Sequence, residues 1–134
     1  MTIVDASAIL DVLAPPDVKR RCFLVDQLPE PATPWLAPDI LLFEVFAVVR
    51  RYVLRGAIPH TAGERALGRL LRLPIELVPT ASLLSAAWPL RDRFSAADSL
   101  YAALALRASE PFLTTDLRLA NAATDAGIDV RAPS

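Results

Sequence analysis

The sequence predicts an α/β protein built around a parallel sheet whose two faces are covered by helices. Short apolar segments with strand composition alternate along the chain with longer helical segments, and strands separated by helices pair in parallel through crossover connections. The strand segments are continuously apolar, as strands buried on both faces are. Because ligands of open α/β sheets bind at the carboxyl ends of the strands, we expect the functional residues at that edge.

The chain begins with one strand and two helices. The segment "TIVD" has strand composition, and "ASAILDVL" is the first predicted helix, which ends before Pro15. Asp17 is placed to cap a second helix, "VKRRCFLVDQL".

The middle of the chain continues the alternation with a weak strand, two helices and a third strand. In order they are "TPWLA", "DILLFEVFAVVRRYVLR", "TAGERALGRLLRL" and "IELV". Pro38 opens the long helix and Gly56 ends it. Thr61 and Glu64 have the spacing of a capping box, which predicts the start of the next helix.

The last third contains two more helical segments, a fourth strand, a helix and a short final strand. In order they are "ASLLSAAWPLRDRF", "SAADSLYAALALRAS", "PFLTTD", "LRLANAATDA" and "IDV". Pro89 is expected to kink or break the first of these helices, and Gly127 to stop the last.

The amino-acid composition limits the classes of protein to which this chain can belong. The 134 residues are 54% hydrophobic and 22% charged, which predicts one packed domain over residues 1–134. The net charge of −1 excludes a globally basic nucleic-acid binder. No apolar run approaches the roughly 20 residues of a membrane-spanning helix, so no membrane location is expected. The single cysteine, Cys22, fits a reducing cytoplasm.

Four acidic residues stand in positions that invite a chemical role. Asp5 follows the first strand and Asp116 the fourth, so both are expected at the same edge of the sheet. Each could equally be a helix N-cap, and Asp98 has capping-box spacing from Ser95. Glu44 lies in a helix that is apolar on all sides, which predicts a buried helix and requires a partner for the carboxylate. A salt bridge to an arginine is the simplest such partner.

The four acids together point to a divalent cation. Carboxylates about 5 Å apart repel by about 3 kcal/mol per pair at an effective dielectric of 20, so such a cluster needs protons or a cation. Oxygen ligands without Cys or His suit Mg²⁺ or Mn²⁺, and such sites activate water for phosphoryl chemistry. His60 is the only histidine and is assigned to the surface, which leaves no Ser-His-Asp triad. The aromatic residues Trp35, Trp88 and Tyr101 are interpreted as core or interface residues.

Four segments resemble, in order and spacing, the motifs of PIN-domain proteins, and among them the VapC-type toxins of bacterial toxin–antitoxin pairs. They are "IVDASAIL", "LLFEVFAVVRR", "FSAADSLYAALAL" and "FLTTDLRL". The resemblance implies a three-layer α/β/α fold with a mostly parallel central sheet. It also implies a Mg²⁺- or Mn²⁺-dependent endoribonuclease that acts on RNA and is held by a cognate VapB-type antitoxin.

The resemblance also implies which residues form the site. The catalytic acids are Asp5, Glu44, Asp98 and Asp116. Asp5 and Asp98 are implied as direct metal ligands, and the other two bind directly or through water. Ser7 and Thr114 are expected to hydrogen-bond these ligands.

Substrate contacts and assembly are expected to depend on local surfaces. Arg91 and Arg93, just before the Asp98 helix, are candidates for RNA phosphate contacts, as are Arg50 and Arg51 after Glu44. A solvated helix face is the alternative for each of them. The high apolar content predicts an exposed apolar patch, and with it a homodimer that also binds a small protein partner.

Three other classes of protein gather acids in an α/β fold. A phospho-acceptor receiver domain needs a lysine at a late strand end, but the only lysine is Lys19, in an early helix. An aspartyl-phosphate phosphatase begins D-x-D, and here Ser7 replaces the second acid. A non-catalytic binding or signalling module, whose acids are caps and salt bridges, stays open as the alternative to an enzyme.

Overall fold

Five parallel strands form one sheet in the computed structural model, which describes residues 1–134. The spatial order is β3-β2-β1-β4-β5, and every neighbouring pair is parallel. The strands are β1 Thr2–Val4, β2 Trp35–Pro38, β3 Ile75–Val78, β4 Phe112–Leu113 and β5 Val130–Arg131. The predicted parallel sheet is therefore confirmed, although β4 and β5 are shorter than their sequence segments.

Seven helices connect the strands. They are α1 Ala6–Leu13, α2 Val18–Val25, α3 Ile40–Leu54, α4 His60–Arg72, α5 Leu84–Ala87, α6 Ala96–Ala108 and α7 Leu117–Asp125. Crossovers between parallel strands are right-handed, so α1 to α4 cover one face of the sheet and α5 to α7 the other. The contacts agree, since α1 packs on α2, α3 and α4, whereas α6 packs on α5. No helix combines the length and the apolarity that crossing a membrane requires.

The hydrophobic core lies between the sheet and these two layers. It is a single cluster of 24 buried residues, to which β1 contributes Ile3 and Val4 and β4 contributes Phe112 and Leu113. These strand residues are fully buried, as the continuously apolar pattern predicts for strands covered on both faces. Each side chain of this size contributes about 1.5–3 kcal/mol when it leaves water.

Helix boundaries follow local chemistry in most places. The carboxylate of Asp17 caps α2 by accepting a 2.7 Å hydrogen bond from the amide of Arg20, as predicted. The capping box expected at Thr61 and Glu64 is wrong: α4 begins one residue earlier, after Pro59, and no side chain caps it. Pro59 has an extended backbone, and Gly63, in the first turn of α4, lies against Val49 and Val53 of α3, so the helix starts without a cap.

The segment that carries Pro89 is broken, as expected. A 3₁₀ turn at Thr80–Ser82, the single-turn α5, and a second 3₁₀ turn at Trp88–Leu90 replace one continuous helix. Gly56 and Gly127 adopt positive φ angles of 73° and 86° after α3 and α7, which is the left-handed conformation that ends helices.

Helix α3 is buried along one face only. Leu41, Val45 and Val49 lie in the core, whereas Phe43 and Phe46 are 72% and 50% exposed. The prediction of an entirely buried helix is therefore wrong, because α1 and α4, on which α3 packs, leave one side of it uncovered. The uncovered side leaves a row of apolar side chains on the protein surface.

Candidate active site

Asp5 and Asp116 lie side by side at the carboxyl edge of the sheet. Strands β1 and β4 are neighbours; Asp5 directly follows β1, and Asp116 comes three residues after the end of β4. Both carboxylates also cap the helix that follows. Oδ1 of Asp5 accepts from the amide of Ala8 at 3.0 Å, and Oδ1 of Asp116 accepts from the amides of Arg118 and Leu119 at 3.0 and 3.2 Å. Capping uses one oxygen of each acid, so it is compatible with a second role.

Two hydroxyl groups hold Asp5. Ser7 Oγ donates to Oδ1 and Thr114 Oγ1 donates to Oδ2, both at 2.7 Å. The two hydroxyl oxygens are 3.2 Å apart, and they accept hydrogen bonds from the amides of Thr115 and Asp116, respectively. Asp5 is only 5% exposed. Its carboxylate is therefore fixed to the end of β4 by Thr114, which follows it by 109 positions.

Glu44 is held by a tyrosine. Oε1 of Glu44 accepts a hydrogen bond of 2.7 Å from the hydroxyl of Tyr101, in α6. The structural alternative for Glu44, a salt bridge to an arginine, is wrong, since Glu44 takes part in no ion pair. Sequence reasoning placed Tyr101 in the core, where its ring lies, but missed its hydroxyl as part of the site.

Asp98 lies in the first turn of α6. The hydroxyl of Ser95 accepts from the backbone amide of Asp98 at 3.2 Å, so the cap uses the main chain of Asp98. The side chain of Asp98 is half-buried and remains available for another role.

Electrostatics join the four acids into one group. Burial raises the pKa of Asp5 from 3.8 to about 6, although Thr114, Ala8 and Ser7 oppose the shift, and the charge of Asp116 adds to it. Burial also raises the pKa of Asp98, and the negative charge of Asp116 raises it further. The pKa of Glu44 is raised by burial as well, and the charge of Asp98 adds to this shift. Repulsion therefore links Asp5 to Asp116, Asp116 to Asp98, and Asp98 to Glu44.

Two further residues act on this group. Burial, followed by the neighbouring charge of Glu44, raises the pKa of the Tyr101 hydroxyl, which keeps it a hydrogen-bond donor. The charge of Arg118 lowers the pKa of Asp98. The signal that could have found Tyr101 is its spacing of three residues from Asp98, which places both on one face of a helix.

The donor set fits a hard divalent cation held in an open site. All four groups are carboxylates, and Oε2 of Glu44 and Oδ2 of Asp116 accept no hydrogen bond from the chain. No group of three or more His, Cys, Asp or Glu side chains is arranged so that it could hold a metal ion. Mg²⁺ commonly binds through one or two carboxylates and keeps several waters, which suits such an arrangement.

The two candidate substrate arginines make local contacts. The guanidinium of Arg91 stacks 4.6 Å from the ring centre of Trp88 and donates to the Trp88 carbonyl oxygen at 2.9 Å. Arg93 donates to the carbonyl oxygen of Asp125, at the end of α7, at 3.2 Å. Both side chains stay exposed, with hydrogen-bond donors to spare.

Known proteins are similar to this chain in sequence and in fold. The PIN domain family matches residues 2–125. Ribonuclease VapC3 of Mycobacterium tuberculosis is 37% identical over 120 residues, which cover 90% of this chain and 85% of the relative. Ribonuclease VapC1 of the same organism is 36% identical over 124 residues, covering 90% and 89%.

A solved structure is similar to this chain in fold. In the crystal structure of VapBC2 from Rickettsia felis bound to a promoter DNA fragment, one chain superposes with a TM-score of 0.70, at 11% identity, and covers 99% of this chain and 98% of its own. This chain therefore shares its fold, helices on both faces of a parallel five-stranded sheet, with that protein. With the match over residues 2–125 and the identity to VapC3 and VapC1, this chain belongs to the PIN-domain family.

Proposed function

We propose that this chain is a VapC-type toxin: an endoribonuclease that cuts RNA phosphodiester bonds and is restrained by a VapB-type antitoxin. The observation that carries the proposal is the linked group of four acids at the carboxyl edge of the sheet, in a chain 37% identical to a ribonuclease. Helix capping alone explains Asp5 and Asp116, but it gives no reason for a half-buried carboxylate in the apolar helix α3. A non-catalytic module is therefore the weaker explanation.

The acids are assigned the following roles. Asp5 and Asp98 bind Mg²⁺ or Mn²⁺ directly, and Glu44 and Asp116 bind it directly or through water. Ser7 and Thr114 hold the Asp5 carboxylate by donating to its two oxygens. The raised pKa values of Asp5, Glu44 and Asp98 support a cation, because burial, and to a smaller extent neighbouring negative charge, disfavours the charged carboxylates that a cation would neutralise.

When bound by these carboxylates, a divalent cation would supply an activated water and would neutralise negative charge at the scissile phosphate. The protein's own groups fix the carboxylates and limit the motion of Asp5 through three hydrogen bonds. Arg91 and Arg93 contact RNA phosphates, which contributes affinity without base specificity.

The surface supports protein partners. The exposed row on α3, with Phe43, Phe46 and Leu54, suits a second copy of the chain in a homodimer. A separate groove of about 500 Å³ between α1, α3 and α4 is lined mostly by apolar side chains, with Arg65 and Arg69 at its side. An antitoxin segment with apolar and acidic residues would fit this groove.

Residues 1–134 are proposed to form a single domain, on the ground that one hydrophobic cluster contains residues of β1, β2 and β4, and partly buried residues of β3 and β5 pack against it. A cytoplasmic location is proposed from the single free cysteine, Cys22.

The function is tested with purified protein freed of any partner. The wild type should cut RNA in Mg²⁺ or Mn²⁺, leave a 3′-hydroxyl and a 5′-phosphate, and stop when a chelator is added. His60→Ala is the matched control, because His60 is exposed and outside the acid group. Cleavage that continues in chelator and disappears in His60→Ala would refute a metal-dependent site.

A second arm tests the toxin assignment. Expression of the chain alone should arrest growth, and co-expression of the antitoxin from the neighbouring reading frame should relieve the arrest. Harmless overexpression of protein that is active on RNA in vitro would contradict the toxin role.

A further inference from the structure

We propose that Tyr101 is a positioning residue that holds the carboxylate of Glu44 at the active site through the hydrogen bond from its hydroxyl to Oε1. The inference rests on the proposed function, because it assigns Tyr101 a part in the same site. It adds a residue from the helix that also carries Asp98.

The ring of Tyr101 cannot move freely. Tyr101 is 1% exposed, and its ring lies 6.2 Å from that of Phe112 in β4, centre to centre. A close-packed core keeps such a ring in one rotamer. The hydroxyl at its end is therefore a hydrogen-bond donor at a fixed point beside the carboxyl edge.

Glu44, by contrast, has no other restraint from the chain. Its side chain has several rotatable bonds, lies half-buried among apolar neighbours on α3, and forms no ion pair. The hydrogen bond of 2.7 Å from Tyr101 is its only one. It engages Oε1 and leaves Oε2 free, so one oxygen anchors the group and the other can serve the site.

Helix α6 thereby determines the positions of two of the four acidic side chains. Asp98 and Tyr101 are three residues apart, on one face of the helix. Asp98 belongs to α6 directly, and Glu44, from the helical layer on the opposite face of the sheet, is tied to α6 through Tyr101. The separation between the two carboxylates then depends on one rigid helix and not on two independent layers.

A purely structural role is the competing explanation. Tyr101 would then be a core residue whose buried hydroxyl needs an acceptor, with Glu44 supplying it. This role predicts that removing the hydroxyl changes stability and leaves metal affinity unaltered, whereas positioning predicts that metal affinity changes through Glu44.

The test measures Mn²⁺ affinity by titration calorimetry on metal-free protein. Tyr101→Phe keeps the ring and removes the donor, and we expect it to weaken Mn²⁺ binding about tenfold, at the lower end of the effect of residues that orient metal ligands. Tyr52→Phe is the matched control: Tyr52 is the only other tyrosine, is 43% exposed, and has no hydrogen bond to an acid. It should bind Mn²⁺ as the wild type does.

A double variant shows whether Tyr101 acts through Glu44. Glu44→Gln should weaken Mn²⁺ binding, and adding Tyr101→Phe to it should cause no further loss. Glu44→Asp is a second test of the same hydrogen bond, and it leaves the ring of Tyr101 in the core unchanged. It keeps the negative charge but places the carboxylate one methylene farther from the Tyr101 hydroxyl. It should lose as much affinity as Tyr101→Phe.

Each outcome decides the inference. Wild-type affinity in Tyr101→Phe or in Glu44→Asp, or additive losses in the double variant, would overturn it while leaving the proposed ribonuclease intact. Absence of Mn²⁺ binding by the wild type would instead overturn the proposed metal site, and the inference with it.

Discussion

Thr114 Oγ1 donates a hydrogen bond of 2.7 Å to Oδ2 of Asp5, across 109 positions of the sequence. Asp5 ends β1, Thr114 follows β4, and both are buried. The bond therefore fixes the first acid of the site to the neighbouring strand, and it stabilises the charged form of a carboxylate that burial disfavours.

Removal of this hydroxyl should destabilise the fold. Thr114→Val keeps the shape but leaves Oδ2 of Asp5 and the amide of Asp116 without their partner. We expect a loss of about 1.5–3 kcal/mol in the free energy of unfolding at pH 7, the range for hydrogen bonds to charged groups. Urea denaturation of metal-free protein measures it. Thr124→Val, on the surface of α7, should change stability by less than about 0.5 kcal/mol; an equal loss in both variants would contradict a special role for Thr114.

The raised pKa of Asp5 predicts a pH dependence that Asp5→Asn should remove. Between pH 3.8 and about 6 the folded protein keeps a proton that the unfolded chain has released, so the free energy of unfolding of the wild type falls as the pH rises through this window. A shift of about two pKa units corresponds to about 3 kcal/mol. The stability advantage of Asp5→Asn over the wild type should therefore grow by about that amount from pH 3.5 to pH 7, in chelator.

Comparison of the two proteins at each pH cancels the titration of groups that do not interact with Asp5, which leaves Asp5 and its coupling to Asp116. Asparagine fits the site, because its amide can donate to Thr114 Oγ1 and the hydroxyls of Ser7 and Thr114 can exchange donor roles. A pH-independent difference between the two proteins would show that Asp5 has no raised pKa.

Asp98→Asn should abolish RNA cleavage without destabilising metal-free protein. The cap of α6 uses the backbone amide of Asp98, which asparagine keeps, and the substitution removes the repulsion from Asp116. At a Mn²⁺ concentration of about 100 times its Kd, the wild type gains about 2.7 kcal/mol, and a variant with tenfold weaker binding gains about 1.4 kcal/mol. Melting curves with chelator and with Mn²⁺ measure both gains.

Asp92→Asn is the control for this comparison, because Asp92 is an exposed acid near Asp98 in sequence whose side chain is 83% exposed. It should respond to Mn²⁺ as the wild type does. Equal metal responses of the wild type and Asp98→Asn, with cleavage intact, would remove Asp98 from the site.

Arg91→Ala should weaken RNA binding in a salt-dependent way. If Arg91 contacts one phosphate, its loss reduces the slope of log K against log salt by about 0.7 for single-stranded RNA. Fluorescence anisotropy over a salt series measures this slope. All proteins in this experiment also carry Asp98→Asn, so that the RNA is not cleaved during the measurement. Arg72→Ala, at the end of α4 and the opposite edge of the sheet, should leave the slope unchanged. An unchanged slope for Arg91→Ala would assign Arg91 to its local contact with Trp88.

Much of the fold was predictable because its signals are local. Strand segments, most helix ends and the Asp17 cap depend on residues within a few positions of one another, and their order implied parallel crossovers. The positions of Asp5 and Asp116 after neighbouring strands followed from the same pattern. The failures had a common cause, which is packing between elements. At Thr61 a local cap signal was overruled by Pro59 and by the packing of α4 on α3, and the apolar surface of α3 did not reveal which side the neighbouring helices would cover.

The sequence by itself determined the elements, their order and the edge of the sheet where acids gather, because propensity, periodicity and caps operate over one or two turns. Tertiary structure alone decided which groups meet there. The hydroxyl of Tyr101 reaches Glu44 across 57 positions, and Ser7 lies beside Thr114 across 107. Such contacts depend on the packing of whole layers, and hydrogen bonds, which require polar atoms within about 3 Å, form only after that packing has set the distances.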